Sequence, residues 1–194
     1  MAQPGNGRYT RRQAVSLTLS GFAAIILSRQ ADAASPQIVA IGADNVAGRG
    51  IGRRHPGGVG RSEAFPAQLQ AMLRAKGVAA TVTNAGRGGE TTPGMLEHLN
   101  SDVPDGTRLV IIDIAKGNDK HQGVEGDEAD ALRQIKAGLT ERHISFIVLP
   151  PWEQIPGATQ NRDPDGHHFT AKGHAKIAAY LLPMVLRKLG GHTG

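Results

Sequence analysis

Acid, amide and imidazole side chains gather directly behind the apolar runs of this chain. Asp44 and Asn45 follow Ile38-Val39-Ala40-Ile41 and a Gly42-Ala43 pair, and Asn84 to Thr92 follows a second apolar stretch. Lys116-Gly117-Asn118-Asp119 follows Leu109 to Ile114, and Asp165-Gly166-His167-His168 stands just before the last amphipathic segment. An aspartate three residues ahead of a histidine can orient the imidazole as a general base. The same pair can equally form a capping turn, with Thr170 as the cap of the following helix. Asn118 can simply tie loop backbones together, and Gly88-Gly89 can simply permit a tight turn. Singly, each has such a structural reading; together, they mark a site. The eight histidines show no metal-ligand spacing: His167 and His168 are adjacent and His174 lies six beyond His168, so neither a metal nor another cofactor is expected.

These residues must be positioned by the elements between them. Ile38 to Ile41 reads as a strand, and Ala64 to Ala75 as a helix with Phe65, Leu69, Met72 and Leu73 on its apolar face, ended by Gly77. Ala79 to Thr83 reads as a strand, and Pro93 to Leu99 as a short helix with Thr92 as N-cap. Leu109 to Ile114 is apolar enough for a strand buried on both faces. Ala129 to Arg142 is helical, Phe146 to Leu149 a strand, and Ala171 to Leu189 a final helix bent near Pro183. Four alternations of strand and helix predict an α/β fold, doubly wound, with a mostly parallel sheet covered on both faces. In such sheets ligands collect at the carboxyl ends of the strands, where the polar residues fall.

The four polar blocks, in this order, resemble the SGNH or GDSL hydrolases. Gly42-Ala43-Asp44-Asn45 stands for the Gly-Asp-Ser or Gly-Ala-Ser-Asn signature, and Asn84-Ala85-Gly86-Arg87-Gly88-Gly89-Glu90-Thr91 for an Asn-Ala-Gly-x-x-Gly-Asp-Thr block. Lys116-Gly117-Asn118-Asp119 stands for Gly-x-Asn-Asp, and Asp165-Gly166-His167-His168 for Asp-x-x-His. Phe65-Pro66-Ala67-Gln68-Leu69 is similar to the first helix of the family, and the resemblance spans Ile38 to Leu189. It implies a three-layer α/β/α, flavodoxin-like fold and hydrolysis of small acyl or aryl esters, lysophospholipids or acetylated sugars. It also implies His168 as base, Asp165 as its orienter, and an oxyanion hole built from the Asp44 N–H, the Gly89 N–H and the Asn118 side chain.

Where the family has its nucleophilic serine, this chain has Asp44. A carboxylate attacking an acyl carbon would have to form a mixed anhydride, so serine-type acyl transfer is excluded at this position. Ser62, Thr91 and Thr92 lie outside the motif and read as turn or cap residues. The glycine that opens the third block is Lys116, and an Asp44–Lys116 ion pair would offset the cost of a buried carboxylate; the alternative is a solvated Lys116 that points outward. Three readings follow. The chain is a weak ester hydrolase acting through His168-activated water, a non-catalytic protein binding a small ester or anionic ligand, or a hydrolase whose Asp44 attacks an sp3 carbon.

The net charge of +5 and pI of 9.9 do not imply nucleic acid. Arg8, Arg11, Arg12 and Arg29 lie before Ala34 with only Asp32 against them, and the remainder carries about +2. Residues 1–33 read as an export signal: Arg11-Arg12 in a twin-arginine-like context, an apolar run from Ala14 to Leu27, then Ala31-Asp32-Ala33 as a cleavage site, with an ordinary secretory signal or an uncleaved N-terminal anchor as the alternatives. The run is too short for a stable membrane span. Residues 34–194 are then expected to form one domain, exported to the periplasm or secreted. There is no cysteine, so no disulfide framework is expected. The loop from Gly48 to Arg61, with Arg49, Arg53, Arg54, His55 and Arg61, reads as a basic, mobile surface segment near the site.

Overall fold

A computed structural model describes residues 35–49 and 57–190 of the protein. The export-signal segment, and Arg53, Arg54 and His55 of the basic loop, lie outside the described residues. Four strands form one parallel sheet in the order β2-β1-β3-β4: β1 (Gln37–Ile41), β2 (Thr81–Asn84), β3 (Thr107–Ile112) and β4 (Ser145–Val148). Parallel neighbours need long crossovers, and helices supply them. In chain order these are α1 (Asp44–Ala47), α2 (Phe65–Ala75), α3 (Thr92–Asp102), α4 (Lys116–His121), α5 (Glu128–Glu141) and α6 (Ala171–Gly190).

Side-chain alternation along the central strands assigns the layers. Ile38 and Ala40 of β1, with Leu109 and Ile111 of β3, face Phe65, Leu69 and Leu73 of α2 and Ile177, Leu181 and Val185 of α6. Val39 and Ile41, with Val110 and Ile112, face Met95 and Leu99 of α3 and Ile135 and Leu139 of α5. Both cores are fully enclosed, which is why β1 and β3 read as unbroken apolar runs rather than alternating ones. The three-layer α/β/α arrangement expected from the alternation is therefore present.

Several boundaries differ from the sequence reading. Residues 44–47 and 116–121, expected as loops, each wind into a short helix. Thr91, not Thr92, caps α3: its Oγ1 accepts the Gly94 N–H at 3.1 Å, because Thr92 is already helical and its hydroxyl is committed elsewhere. α6 runs on through Pro183, which is exposed on the helix surface.

The chain leaves β1 toward β2 on one side and returns to β3 on the other, so a crevice opens between the carboxyl ends of β1 and β3. The two strands approach closely there. Gly42 has φ +153°, and a Cβ on it would lie 2.5 Å from Val46 Cγ2 and 2.9 Å from Asp113 Cβ. Gly42→Ala is expected to destabilise the fold by about 3 kcal/mol through overpacking and backbone strain. Urea unfolding midpoints would measure this, and an unchanged midpoint would refute the packing account.

Candidate functional site

The crevice is a cleft of about 1030 Å³ bordered by Asp44, Gly89, Asp113, Asn118 and His168, with Ile114, Leu149, Pro150, Pro151 and Trp152 as its apolar wall. All four sequence blocks reach it. The first residue of α1 supplies Asp44, the loop after β2 supplies Gly89, and α4 supplies Asn118. His168 comes from the turn that leads into α6.

Asp44 is the hub. Its Oδ1 accepts the Gly89 N–H at 3.1 Å, and its Oδ2 accepts the Asn118 Nδ2–H at 2.8 Å. The second Asn118 N–H goes to the Glu90 carbonyl at 2.9 Å, which fixes the amide plane. Gly89 sits at φ +75° in a turn closed by Glu90 N–H to Arg87 O, and Gln122 Nε2 binds its carbonyl at 2.7 Å. Gly89 thus serves as turn residue and anion donor at once. Asn118, too, both ties loops and addresses the site.

Lys116 does not pair with Asp44. It is an exposed residue at the first position of α4, and no ion pair between the two exists among the described residues. The sequence reading offered a cationic partner to offset the carboxylate, and the alternative, a solvated outward Lys116, is what the structure has. Two N–H donors, with His168 nearby, replace that partner.

His168 is buried, and its Nδ1 lies 2.5 Å from Asp165 Oδ2. Asp165 Oδ1 accepts the backbone N–H groups of His167 and His168 at 2.9 and 3.0 Å. Burial would raise the Asp165 pKa, but the His168 ring and these two N–H groups outweigh it and hold the carboxyl well below the usual range. A carboxylate so held keeps the proton on Nδ1 and turns Nε2 toward the cleft as the basic nitrogen. Nε2 stands 4.0 Å from Asp44 Oδ1. The capping alternative also holds, since Thr170 Oγ1 accepts the Gly173 N–H at 3.3 Å. Capping of α6 therefore falls to Thr170, leaving Asp165 for the imidazole.

Four residues of consequence were missed. Asp119 is fully buried and takes the Thr92 N–H and hydroxyl at 2.7 and 2.6 Å, joining α3 to α4. Arg61, assigned to a mobile loop, instead donates to the carbonyls of Asn84 and Gly86 at 2.7 and 2.9 Å. Asp113, at the end of β3, is 6% exposed, and burial first and the Asp44 charge second push its pKa well above the ordinary carboxylate value. A lone acid closing the run Leu109 to Ile112 was the available signal for it.

The fourth is His174 in α6, fully buried, whose Nδ1 accepts the Phe65 N–H at the start of α2 at 3.2 Å. Burial, and then the neighbouring His168, lower its pKa from 6.5 to about 4. A histidine kept neutral in the native state leaves the unfolded chain to bind the extra proton as pH falls. Stability is therefore full above about 6.5 and declines between there and about 4, by about 2 kcal/mol from pH 7 to pH 5. Urea titrations at the two pH values would show this, and His174→Gln, which can still accept the Phe65 N–H but does not titrate, is expected to flatten the dependence.

No protein-family model matches the chain, and no curated protein is similar to it in sequence. Solved structures are similar in fold. The psychrotrophic esterase EstA from Pseudoalteromonas sp. aligns at 16% identity and a TM-score of 0.63, over 79% of this chain and 98% of that one. TesA aligns at 18% identity and 0.64, over 78% and 99%. AlinE4, an SGNH-hydrolase family esterase, aligns at 23% identity and 0.54, over 80% and 97%. The chain has the fold of the SGNH/GDSL hydrolases, an ester-hydrolase architecture.

Proposed function

We propose that the protein is an SGNH-fold protein whose serine-type ester hydrolysis is lost and whose cleft still receives a small molecule. One observation carries the reading: the Asp44 carboxylate takes up the Gly89 N–H and the Asn118 amide, two of the donors that the resemblance assigns to the oxyanion hole. A serine here would end at Oγ, and the acyl group would extend beyond it to the donors. The aspartate puts Cγ at that point and its own oxygens on Gly89 and Asn118. An incoming acyl group finds no hydroxyl at this position to attack it, and two of its three expected oxygen donors are already taken. The cleft volume and apolar wall suit a small ligand, and Lys116, His121, Arg162 and His167 on its border suit an anionic one.

The protein is expected to leave p-nitrophenyl acetate at the buffer rate. A parent rate that His168→Ala abolishes would overturn this in favour of hydrolysis by His168-activated water.

A second reading has a specific observation behind it. Two of the three expected oxyanion donors and the Asp165-oriented His168 address the Asp44 carboxyl itself, the Gly89 N–H on Oδ1 and the Asn118 amide on Oδ2, so an ester formed on Asp44 would keep one of them on its carbonyl oxygen. Such an ester arises if Asp44 attacks an sp3 carbon. The 4.0 Å between Nε2 and Oδ1 exceeds a hydrogen bond and leaves the imidazole able to address a water rather than the carboxylate.

A further inference from the structure

Asp113 plays no part in the chemistry described so far, yet it borders the same cleft as Asp44. The two are brought together by the pairing of β1 with β3. The Asp113 N–H donates to the Ile41 carbonyl at 3.0 Å, and its Cβ packs against Gly42, two residues before Asp44. Unlike Asp119 or Asp165, its carboxyl has no hydrogen-bond donor among the described residues. Asp113 lacks the N–H donors that Asp44 has, and burial first and the Asp44 charge second raise its pKa, which favours its acid form. Asp44, Asp113 and the Asp165-oriented imidazole of His168 thus all border one cleft.

We infer that the protein opens epoxides, with Asp44 as nucleophile and Asp113 as the acid that protonates the departing ring oxygen. This rests on the second reading above, and it adds the substrate class and the proton donor. An Asp44 oxygen attacks a ring carbon, the C–O bond breaks toward the ring oxygen, and that oxygen takes the Asp113 proton. The products are a β-hydroxyalkyl ester on Asp44 and an Asp113 carboxylate. Water, giving its proton to His168 Nε2, then adds to Asp44 Cγ, and the donor on the oxygen that did not attack, the Gly89 N–H on Oδ1 or the Asn118 amide on Oδ2, receives the tetrahedral oxyanion. The ester bond breaks, the leaving alkoxide takes the proton from His168, and a vicinal diol departs. Asp44 is left as the acid and returns its proton to Asp113. The sum is epoxide plus water to diol, with every proton returned. An epoxide fits the pair better than an alkyl halide does, because only the former needs an acid for its leaving group.

The test uses the full chain carrying His168→Gln, in which an ester on Asp44 accumulates, treated separately with styrene oxide and with 1-bromohexane and read by peptide mass spectrometry. Both reagents are expected to modify Asp44. Adding Asp113→Asn is expected to slow the styrene oxide adduct about 100-fold or more and leave the bromohexane adduct unchanged, since a halide leaves without a proton. The bromohexane arm also reports that the variant is folded. Bromohexane labelling with no styrene oxide adduct, or with one insensitive to Asp113→Asn, overturns the inference and leaves Asp44 a nucleophile. Loss of both adducts in Asp113→Asn assigns Asp113 a structural role and overturns it as well. No labelling by either reagent overturns the second reading with it. In the parent protein, a single turnover of styrene oxide in heavy-oxygen water is expected to place the label in the Asp44 peptide and not in the diol; label in the diol alone would mean direct attack by water.

Discussion

Asp44→Ser is expected to hydrolyse p-nitrophenyl acetate at least about 100-fold faster than the parent protein. The substitution does two things at once. It removes the carboxylate that occupies the Gly89 N–H and the Asn118 amide, and it installs a hydroxyl on the residue that His168 Nε2 already approaches. The base needs no rebuilding, because Asp165 holds His168 through the ring and through two backbone N–H groups. If the gain comes from the emptied oxyanion hole, Asn118→Ala in the Asp44→Ser background should cost about 3 kcal/mol, or two orders of magnitude in kcat, and His168→Ala should abolish the gain. The gain is also expected to show in kcat more than in KM, since the freed donors act on charge that develops only in the transition state. A folded Asp44→Ser protein that stays at the buffer rate would sink the view that Asp44 alone blocks an otherwise complete site.

Asp119→Ala is expected to cost about 4 kcal/mol of stability, the largest loss from any single polar truncation considered. Both Asp119 oxygens are engaged and fully buried, one by the Thr92 N–H and one by its hydroxyl, and Thr92 Oγ1 in turn accepts the Ala115 N–H at 3.2 Å. Hydrogen bonds to a charged group contribute about 1.5–3 kcal/mol each, and truncation strands two buried donors. Asp119→Asn keeps one acceptor and should lose roughly half as much. Because this cluster joins the start of α3 to the residue preceding α4, its loss should also loosen Asn118 and reduce whatever turnover Asp44→Ser acquires. Urea denaturation gives the stability directly, and a loss below about 1 kcal/mol would show that the cluster is solvated or replaceable.

How much of this was legible beforehand depended on the range of the interaction. The apolar runs around Val39 and Val110 and the helical period of Phe65, Leu69 and Leu73 are local patterns, and they led directly to the strands and helices found. The helix at Lys116–His121 was not legible, because Lys-Gly-Asn-Asp has no helical period and little helix propensity. It is held instead by Asp119 reaching across to Thr92. The identity of the α3 cap turned on the same contact, which takes Thr92 out of contention and leaves Thr91. Arg61 was read as a solvated basic residue because its acceptors are the carbonyls of Asn84 and Gly86, more than twenty positions away and invisible to composition.

The sequence by itself determined that position 44 carries an aspartate, that a histidine stands three residues after an aspartate ahead of the last helix, and that the four polar blocks fall where a doubly wound sheet collects its loops. Those are matters of residue identity and short periodicity, which require no coordinates. Tertiary structure decided what Asp44 does. The reach of a carboxylate, one bond beyond a serine hydroxyl, carries its oxygens onto Gly89 and Asn118, so the charge is met by N–H dipoles and Lys116 stays outside. Structure also placed Asp113 beside it, because β1 and β3 are adjacent in the sheet although about seventy residues apart in the chain. Hydrogen-bond partners and burial depend on distances that only folding creates, and those distances, rather than the residue types, give one carboxyl two N–H donors and leave the other with none among the described residues.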